Sequence, residues 1–160
     1  MGGGPAFLEE IQAALEILEA RLPILPGREN RAILGYSLGG LFALWAFCAG
    51  ETFGAAASLS GSLWYEGWTE YLAAHLPEQG GRVYLSLGKK EEKSGPAQMR
   101  LVGERTRETA GMFRAARRFG EVPLEMHGGG HFTDIPGRWR RAMEGMEGEE
   151  IQMERQPTGV

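Results

Sequence analysis

The sequence predicts an α/β fold in which about four parallel strands carry helices on both faces. Strand-like and helix-like runs alternate along the chain, and each of the four strand-like runs is followed by a helical stretch. Alternation of this kind requires right-handed crossovers, which place parallel strands in one sheet with helices on either side. The strand-like runs are residues 31–34, 53–59, 82–87 and 122–127.

The helical stretches are recognised by apolar residues spaced three or four positions apart. In the first of them the apolar residues form one face, and Pro5 suits the first turn of a helix. Gly50 is placed to end the second helix. The predicted helices cover residues 5–22, 41–49, 68–76, 98–119 and 138–146.

Length and composition indicate an ordinary globular protein with one domain. The 160 residues contain 42% hydrophobic and 24% charged side chains, and we place the domain at residues 1–146 with a polar tail at 147–160. The net charge of −4 argues against a nucleic-acid partner. Arginines cluster in residues 114–118 and 138–141, and we interpret both clusters as solvated helix faces.

Several classes of protein are disfavoured by what the sequence lacks. Cys48 is the only cysteine, so no disulfide forms within the chain, and we expect it to be buried on an apolar helix. Three scattered histidines show no metal-ligand spacing, and we expect neither a metal nor another cofactor. No signal peptide or run of about 20 apolar residues is visible, so we expect a cytoplasmic protein without a membrane partner.

The most informative motif is the G-x-S-x-G sequence from Gly35 to Gly39, centred on Ser37. It lies between a predicted strand and a predicted helix, as the nucleophile elbow of α/β-type serine hydrolases does. The glycines allow a very tight turn, and the serine is expected in strained backbone geometry. Its hydroxyl would then stand at the carboxyl end of the sheet, above a helix N-terminus that favours negative charge. A glycine-rich turn that merely packs closely is the alternative interpretation.

Polar residues follow the predicted strands in the order Ser37, Glu91 and His131. In parallel α/β sheets the chemistry gathers at the carboxyl ends of the strands, and this chain order is that of the α/β-hydrolase triad. A serine hydroxyl needs a base to take its proton, and a histidine does this near neutral pH. A carboxylate on the far ring nitrogen fixes the tautomer and stabilises the imidazolium.

Two neighbouring glutamates and one aspartate are candidates for the acid of this set. Glu91 and Glu92 both follow the third strand, and we prefer Glu91, although both would also suit a charged surface loop. Asp134 is a further candidate that is better placed to cap the last helix. His75 and His127 are weaker candidates for the base than His131, which follows three flexible glycines.

Four segments together resemble the esterases of the esterase D and enterochelin-esterase group, which are α/β hydrolases. The resemblance covers residues 2–146 and is carried by residues 35–43, 58–64, 86–92 and 130–132.

This resemblance implies Ser37 as nucleophile, His131 as general base and Glu91 as the acid, although some relatives work with a serine–histidine pair. It also implies that the amide of Leu38 is an oxyanion donor. Tyr36 and Trp64 are expected to contact a small-molecule ester substrate, but Trp64 is equally suited to covering the core.

Relatives in this group usually carry an upstream segment that forms the first strands and a second oxyanion donor. We therefore expect this chain to be the C-terminal part of the full fold, with an unpaired, apolar sheet edge that favours a homodimer. The leading hypothesis is an esterase that forms an acyl-enzyme. The alternatives are a poorly active or non-catalytic remnant, and an acyltransferase that uses an alcohol in place of water.

Overall fold

Strands and helices alternate along the chain in the computed structural model, which describes residues 2–146. The four strands are β1 (Ala32–Tyr36), β2 (Ala55–Leu59), β3 (Arg82–Gly88) and β4 (Leu124–His127). The five helices are α1 (Gly4–Arg21), α2 (Leu38–Cys48), α3 (Trp68–His75), α4 (Val102–Ala115) and α5 (Ile135–Met146). The predicted polar tail at 147–160 lies outside the described residues, so the domain boundary stays a prediction.

The four strands form one parallel sheet in the order β1-β2-β3-β4. Because every pairing is parallel, all four carboxyl ends lie at the same edge of the sheet. In the register, Tyr36 pairs with Leu59, and Leu59 pairs with Ser86. The segments that leave β1, β2, β3 and β4 therefore start side by side. The predicted α/β-hydrolase-like architecture with four parallel strands is confirmed.

Helices cover both faces of the sheet, and alternate strand residues point to each face. The larger core packs strand residues such as Ile33 and Val83 against buried residues of α1 to α4, including Phe47 and Phe113. The smaller core packs strand residues against α5 and consists of Ala55, Ala57, Leu59, Tyr84, Ala142 and Met146. The small alanines of β2 let α5 approach the sheet closely.

Three predicted elements were too long by two or more residues. The second strand, expected over 53–59, begins at Ala55. The backbone explains the other two differences. The helix expected over residues 98–119 is a 3-10 turn, Met99–Leu101, followed by α4, which ends before Arg117 takes a left-handed conformation with φ 57°. The strand expected over 122–127 begins at Leu124, because Pro123 has no amide to donate to the ladder. The first strand instead extends beyond its predicted end at residue 34, to Tyr36.

Strand β1 lies at one edge of the sheet and pairs with β2 alone among the strands described here. This edge is the one expected to favour a homodimer, and that association stays a prediction. Within residues 2–146, no helix has both the length and the apolar character needed to cross a bilayer.

Candidate active site

Ser37 occupies a strained turn between β1 and α2. Its φ of 57° and ψ of −121° lie outside the regions that L-residues ordinarily adopt, as the elbow motif predicted. The turn is held by the Ser37 amide, which donates to the carbonyl of Leu59, and by the Ser37 carbonyl, which accepts from Gly40 and Ser62. The strain fixes the direction of the hydroxyl at the carboxyl edge of the sheet.

Two glycines make this turn sterically possible, and only one of them belongs to the G-x-S-x-G motif. A β-carbon on Gly35 would lie 1.9 Å from the carbonyl oxygen of Gly39. One on Gly40 would lie 2.8 Å from Ser58 Oγ and 2.9 Å from the α-carbon of Gly61. The second glycine of the motif, Gly39, has open space where its side chain would be. The close approach therefore depends on Gly35 and Gly40.

The structure brings Ser37, His131 and Glu91 together in one line of polar contacts. Ser37 Oγ lies 3.1 Å from His131 Nε2, and His131 Nδ1 lies 2.7 Å from Glu91 Oε2. An ionised carboxylate only accepts hydrogen bonds, so Nδ1 carries the proton in the neutral ring and Nε2 is free to accept from the serine. This tautomer is the one that can remove the proton of Ser37.

Three strands and their following loops position these groups. Ser37 follows β1, Glu91 begins a 3-10 turn shortly after β3, and His131 lies in the loop after β4. The Glu91 carboxylate is buried and accepts from the Gly88 amide at 2.8 Å and from the Ser60 hydroxyl, both at Oε1. Its other oxygen, Oε2, is left for His131. A buried carboxylate with all of these partners is held in one orientation.

The other candidate acids and bases lie elsewhere. Glu92 points away from the site and forms an ion pair of 2.8 Å with Arg107. Asp134 accepts from the Gly137 amide at the start of α5 and pairs with Arg141, so it organises that helix end. His75 is exposed on α3, where its ring stacks on Tyr71. His127 Nδ1 lies 3.1 Å from the Gly128 carbonyl.

A cavity of about 250 Å³ opens beside the three groups. Trp64 lines it, as do Ser62, which follows β2, and Met99 and Val102, which precede or begin α4. A larger, mainly apolar groove of about 930 Å³ begins at Leu38. Tyr65 and Trp68 line that groove, although Trp68 is nearly buried.

Tyr36 differs from the expectation that it contacts substrate, because it lines neither of these two cavities. Its hydroxyl contacts the His131 carbonyl and the guanidinium of Arg138, and its ring meets the His131 ring edge-on at 5.4 Å. Strand alternation explains this placement, since the residue before the serine points to the face of the sheet that α5 covers.

Arg138 corrects the interpretation of residues 138–141 as a solvated helix face. Its side chain is fully buried, and its guanidinium donates to Tyr36 and Ser60 and, at 3.3 Å, to Ser86. One helical signal was available in the sequence: Arg138, Ala142 and Met146 are four positions apart, and all three face the sheet. Their shared spacing predicts the buried face on which Arg138 lies.

Burial shifts the pKa values of Tyr36 and Arg138 in opposite directions. It raises the pKa of the Tyr36 hydroxyl, although the cation of Arg138 opposes the effect, so the phenol keeps its proton at neutral pH. Burial also lowers the pKa of Arg138, and Tyr36 and Glu91 counteract that shift. A guanidinium stays protonated throughout the physiological range. Glu91 Oε1 lies 3.9 Å from Arg138 Nη1.

The start of α2 supplies backbone donors next to the serine. Leu38 is the first residue of this helix, and the first amides of a helix have no partner within it. The amides of Gly40 and Leu41 donate to the carbonyl of Ser37. The N-terminus of α2 adds a field that favours negative charge beside Ser37. In residues 2–146, no group of three or more histidine, cysteine or acidic side chains is arranged to hold a metal ion.

Several solved structures share the fold of this chain. Siderophore hydrolase EstB from Aspergillus nidulans superposes with a TM-score of 0.75 at 22% identity, covering 99% of this chain and 61% of its own. Siderophore hydrolase EstA from the same organism superposes with a TM-score of 0.70 at 20% identity, covering 91% of this chain and 57% of EstA. The enterobactin esterase FES from Shigella flexneri superposes with a TM-score of 0.65 at 23% identity, covering 84% of this chain and 35% of FES. At these identities the likeness concerns the fold.

The sequence profile of the family described as "Putative esterase" matches residues 6–149, and the chain belongs to that family. The uncharacterized protein YbbA of Bacillus subtilis (strain 168) is 28% identical over 110 residues, which cover 67% of this chain and 44% of YbbA. The chain thus spans about half the length of these relatives. The predicted resemblance to the esterase D and enterochelin-esterase group is confirmed.

Proposed function

We propose that this chain hydrolyses carboxylic esters through an acyl-enzyme on Ser37. The observation that carries the proposal is the line of contacts from Ser37 Oγ through the ring of His131 to Glu91, at 3.1 and 2.7 Å. Family membership and the fold shared with siderophore and enterobactin esterases support ester hydrolysis as the reaction class.

The first half of the reaction transfers the acyl group to the protein. Ser37 Oγ attacks the ester carbonyl carbon while Nε2 of His131 takes the hydroxyl proton. The Leu38 amide donates to the oxyanion, and Glu91 stabilises the imidazolium. The tetrahedral intermediate then breaks its bond to the alcohol oxygen, which receives the proton from Nε2 and departs.

The second half returns the serine to its starting state. Nε2 takes a proton from water, and the resulting hydroxide attacks the acyl carbon. The bond to Ser37 Oγ then breaks, the serine regains its proton from the ring, and a carboxylic acid is released. Replacing water with an alcohol in this step would give acyl transfer.

The cavity beside the serine suggests which esters to test. Its volume of about 250 Å³ suits a small acyl or alcohol group, and Trp64 offers it an aromatic wall. Because two of the structural neighbours are named as siderophore hydrolases, siderophore-type esters belong in the panel together with short activated esters.

The test compares hydrolysis of this panel by the unaltered chain and by Ser37→Ala. We expect Ser37→Ala to retain its fold and to fall to the small residual rate that binding and backbone donors alone provide. An acyl-acceptor alcohol added to the assay distinguishes hydrolysis from acyl transfer by the product formed. Equal rates for the two proteins would contradict the proposal and favour a non-catalytic remnant.

A further inference from the structure

We propose that Arg138 is a positioning residue that holds both His131 and Glu91 in reactive alignment through the hydroxyls of Tyr36 and Ser60. The inference deepens the proposed ester hydrolysis and rests on it, since it concerns how the base and the acid are kept in place. Arg138 does not line the cavity itself. It contacts three residues that do: Ser60, the carbonyl of His131 at 3.5 Å, and Glu91 at 3.9 Å.

The burial of Arg138 is the first step of the argument. It is the largest fully buried side chain among the described residues and lies on the face of α5 that covers the sheet. A charge in such a place is costly unless it is paired and hydrogen-bonded, and Glu91 is the carboxylate nearest to it, at 3.9 Å. A helix-packing role alone would be better served by an apolar side chain.

The contact with Ser60 fixes the direction of one hydrogen bond. A guanidinium has donors and no acceptor, so Ser60 Oγ must accept from Arg138 Nη2. The single proton of that hydroxyl is then available for Glu91 Oε1, which only accepts. With Ser60 and the Gly88 amide both on Oε1, the second oxygen of Glu91 is directed to His131.

The contact between Arg138 and Tyr36 fixes the direction of a second hydrogen bond in the same way. Tyr36 accepts from Arg138 Nη1, so its own proton is donated to the carbonyl of His131. The guanidinium also lies over the Tyr36 ring, 4.9 Å from its centroid. The loop of His131 follows three glycines and gains from Tyr36 a fixed anchor on β1.

One cation therefore orients two hydroxyls, and each hydroxyl holds a different member of the proposed triad. The arrangement requires a planar fork with several donors, because Tyr36 and Ser60 are bonded by different nitrogens of one guanidinium. A lysine keeps the charge but presents it as a compact ammonium at the end of a flexible stem. Arg138→Lys should consequently leave one of the two hydroxyls without its donor.

The kinetic test uses Arg138→Lys, with Arg141→Lys as the matched control. Arg141 lies on the same helix and pairs with Glu125 and Asp134 at the surface. We expect Arg138→Lys to lower kcat by about 10²-fold with KM unchanged, the size of effect expected when a catalytic group is misplaced by about 1 Å. Arg141→Lys should retain the wild-type values.

A double-mutant comparison separates positioning from a general structural effect. If Arg138 acts through the base, adding Arg138→Lys to His131→Ala should not lower kcat any further, because the base is already gone. An equal loss in both backgrounds, or full activity of Arg138→Lys, would overturn the inference. Should Arg138→Lys not fold, Tyr36→Phe removes one of the two hydroxyls alone and is expected to lower kcat in the same non-additive way.

A spectroscopic arm keeps the inference separate from the proposed function. Nitrogen-15 spectra of the histidine ring at alkaline pH report which nitrogen of His131 carries the proton, whether or not the protein turns over an ester. We expect the Nδ1–H tautomer in the unaltered chain and in Arg141→Lys, and a mixture in Arg138→Lys. Unchanged tautomers in Arg138→Lys would overturn the positioning role. Absence of Ser37-dependent hydrolysis would instead overturn the proposed function.

Discussion

Ser37 Oγ and His131 Nε2 lie 3.1 Å apart although 94 positions of sequence separate the two residues. The parallel sheet accounts for this proximity, because the loops after β1 and β4 leave from the same edge. The loop after β3 places Glu91 on the other side of the His131 ring, where Oε2 lies 2.7 Å from Nδ1. The strained φ of Ser37 and the buried carboxylate are both costs to stability that the site explains.

Replacing the acid should slow the reaction strongly. In Glu91→Gln the amide can donate to the ring, which stabilises the wrong tautomer of His131, and no negative charge faces the imidazolium. We expect kcat to fall by about 10²–10⁴-fold, the upper figure being that of the corresponding change in a serine protease triad. Steady-state kinetics on an activated ester measure this.

Glu92→Gln is the matched control for that prediction. The same chemical change one position later affects only the surface ion pair with Arg107, and such pairs contribute about 0–1 kcal/mol. We expect wild-type kinetics. A larger loss in Glu92→Gln than in Glu91→Gln would show that the acid has been assigned to the wrong residue.

Alanine at the two glycines after the serine should have opposite effects on stability. At Gly40 the new methyl group would press on Ser58 and on the backbone of Gly61, so we expect the free energy of unfolding to fall by about 1–3 kcal/mol. At Gly39 the space is open and the position is helical, and a rise of about 0.4–1 kcal/mol is expected. Urea unfolding of both variants measures the difference, and equal effects would contradict the described turn.

The buried thiol of Cys48 should make stability depend on alkaline pH. Burial raises the pKa of this thiol to about 12, whereas an unfolded thiol has a pKa of about 8.5. Between these values the unfolded chain loses the proton and the folded chain keeps it, so the folded state loses stability as the pH rises.

Cys48→Ala lacks this effect and serves as the reference in urea unfolding at pH 8 and pH 10. We expect the free energy of unfolding of the unaltered chain to fall between these values by about 1–2 kcal/mol more than that of Cys48→Ala. Other titrating groups are common to both proteins and cancel. Parallel pH dependence of the two proteins would mean that the thiol is accessible in the folded state.

The sheet and the elbow could be predicted because their signals are local. Alternating strand and helix patterns define the parallel topology, and Gly35 with Ser37 marks the sharp turn. The order of Ser37, Glu91 and His131 then follows, since topology alone brings the strand ends together. Glu91 was preferred to Glu92 without a periodic pattern behind the choice, because neighbouring residues in a loop have none, and only the packed contacts separate the two.

The contact between Tyr36 and Arg138 could not be predicted in the same way. Tyr36 stands next to the serine in sequence, yet strand alternation turns it to the opposite face, toward Arg138. An arginine in an amphipathic helix ordinarily lies in solvent, and only its spacing from Ala142 and Met146 indicates otherwise. Long-range polar contacts of this kind depend on packing between distant segments.

The most direct test of the account is the covalent labelling of Ser37 by a fluorophosphonate, located by mass spectrometry of peptides from the folded protein. The account predicts one adduct, on Ser37, which disappears in Ser37→Ala and forms much more slowly in His131→Ala. A folded protein that carries no adduct, or one whose adduct lies on another serine, would contradict it.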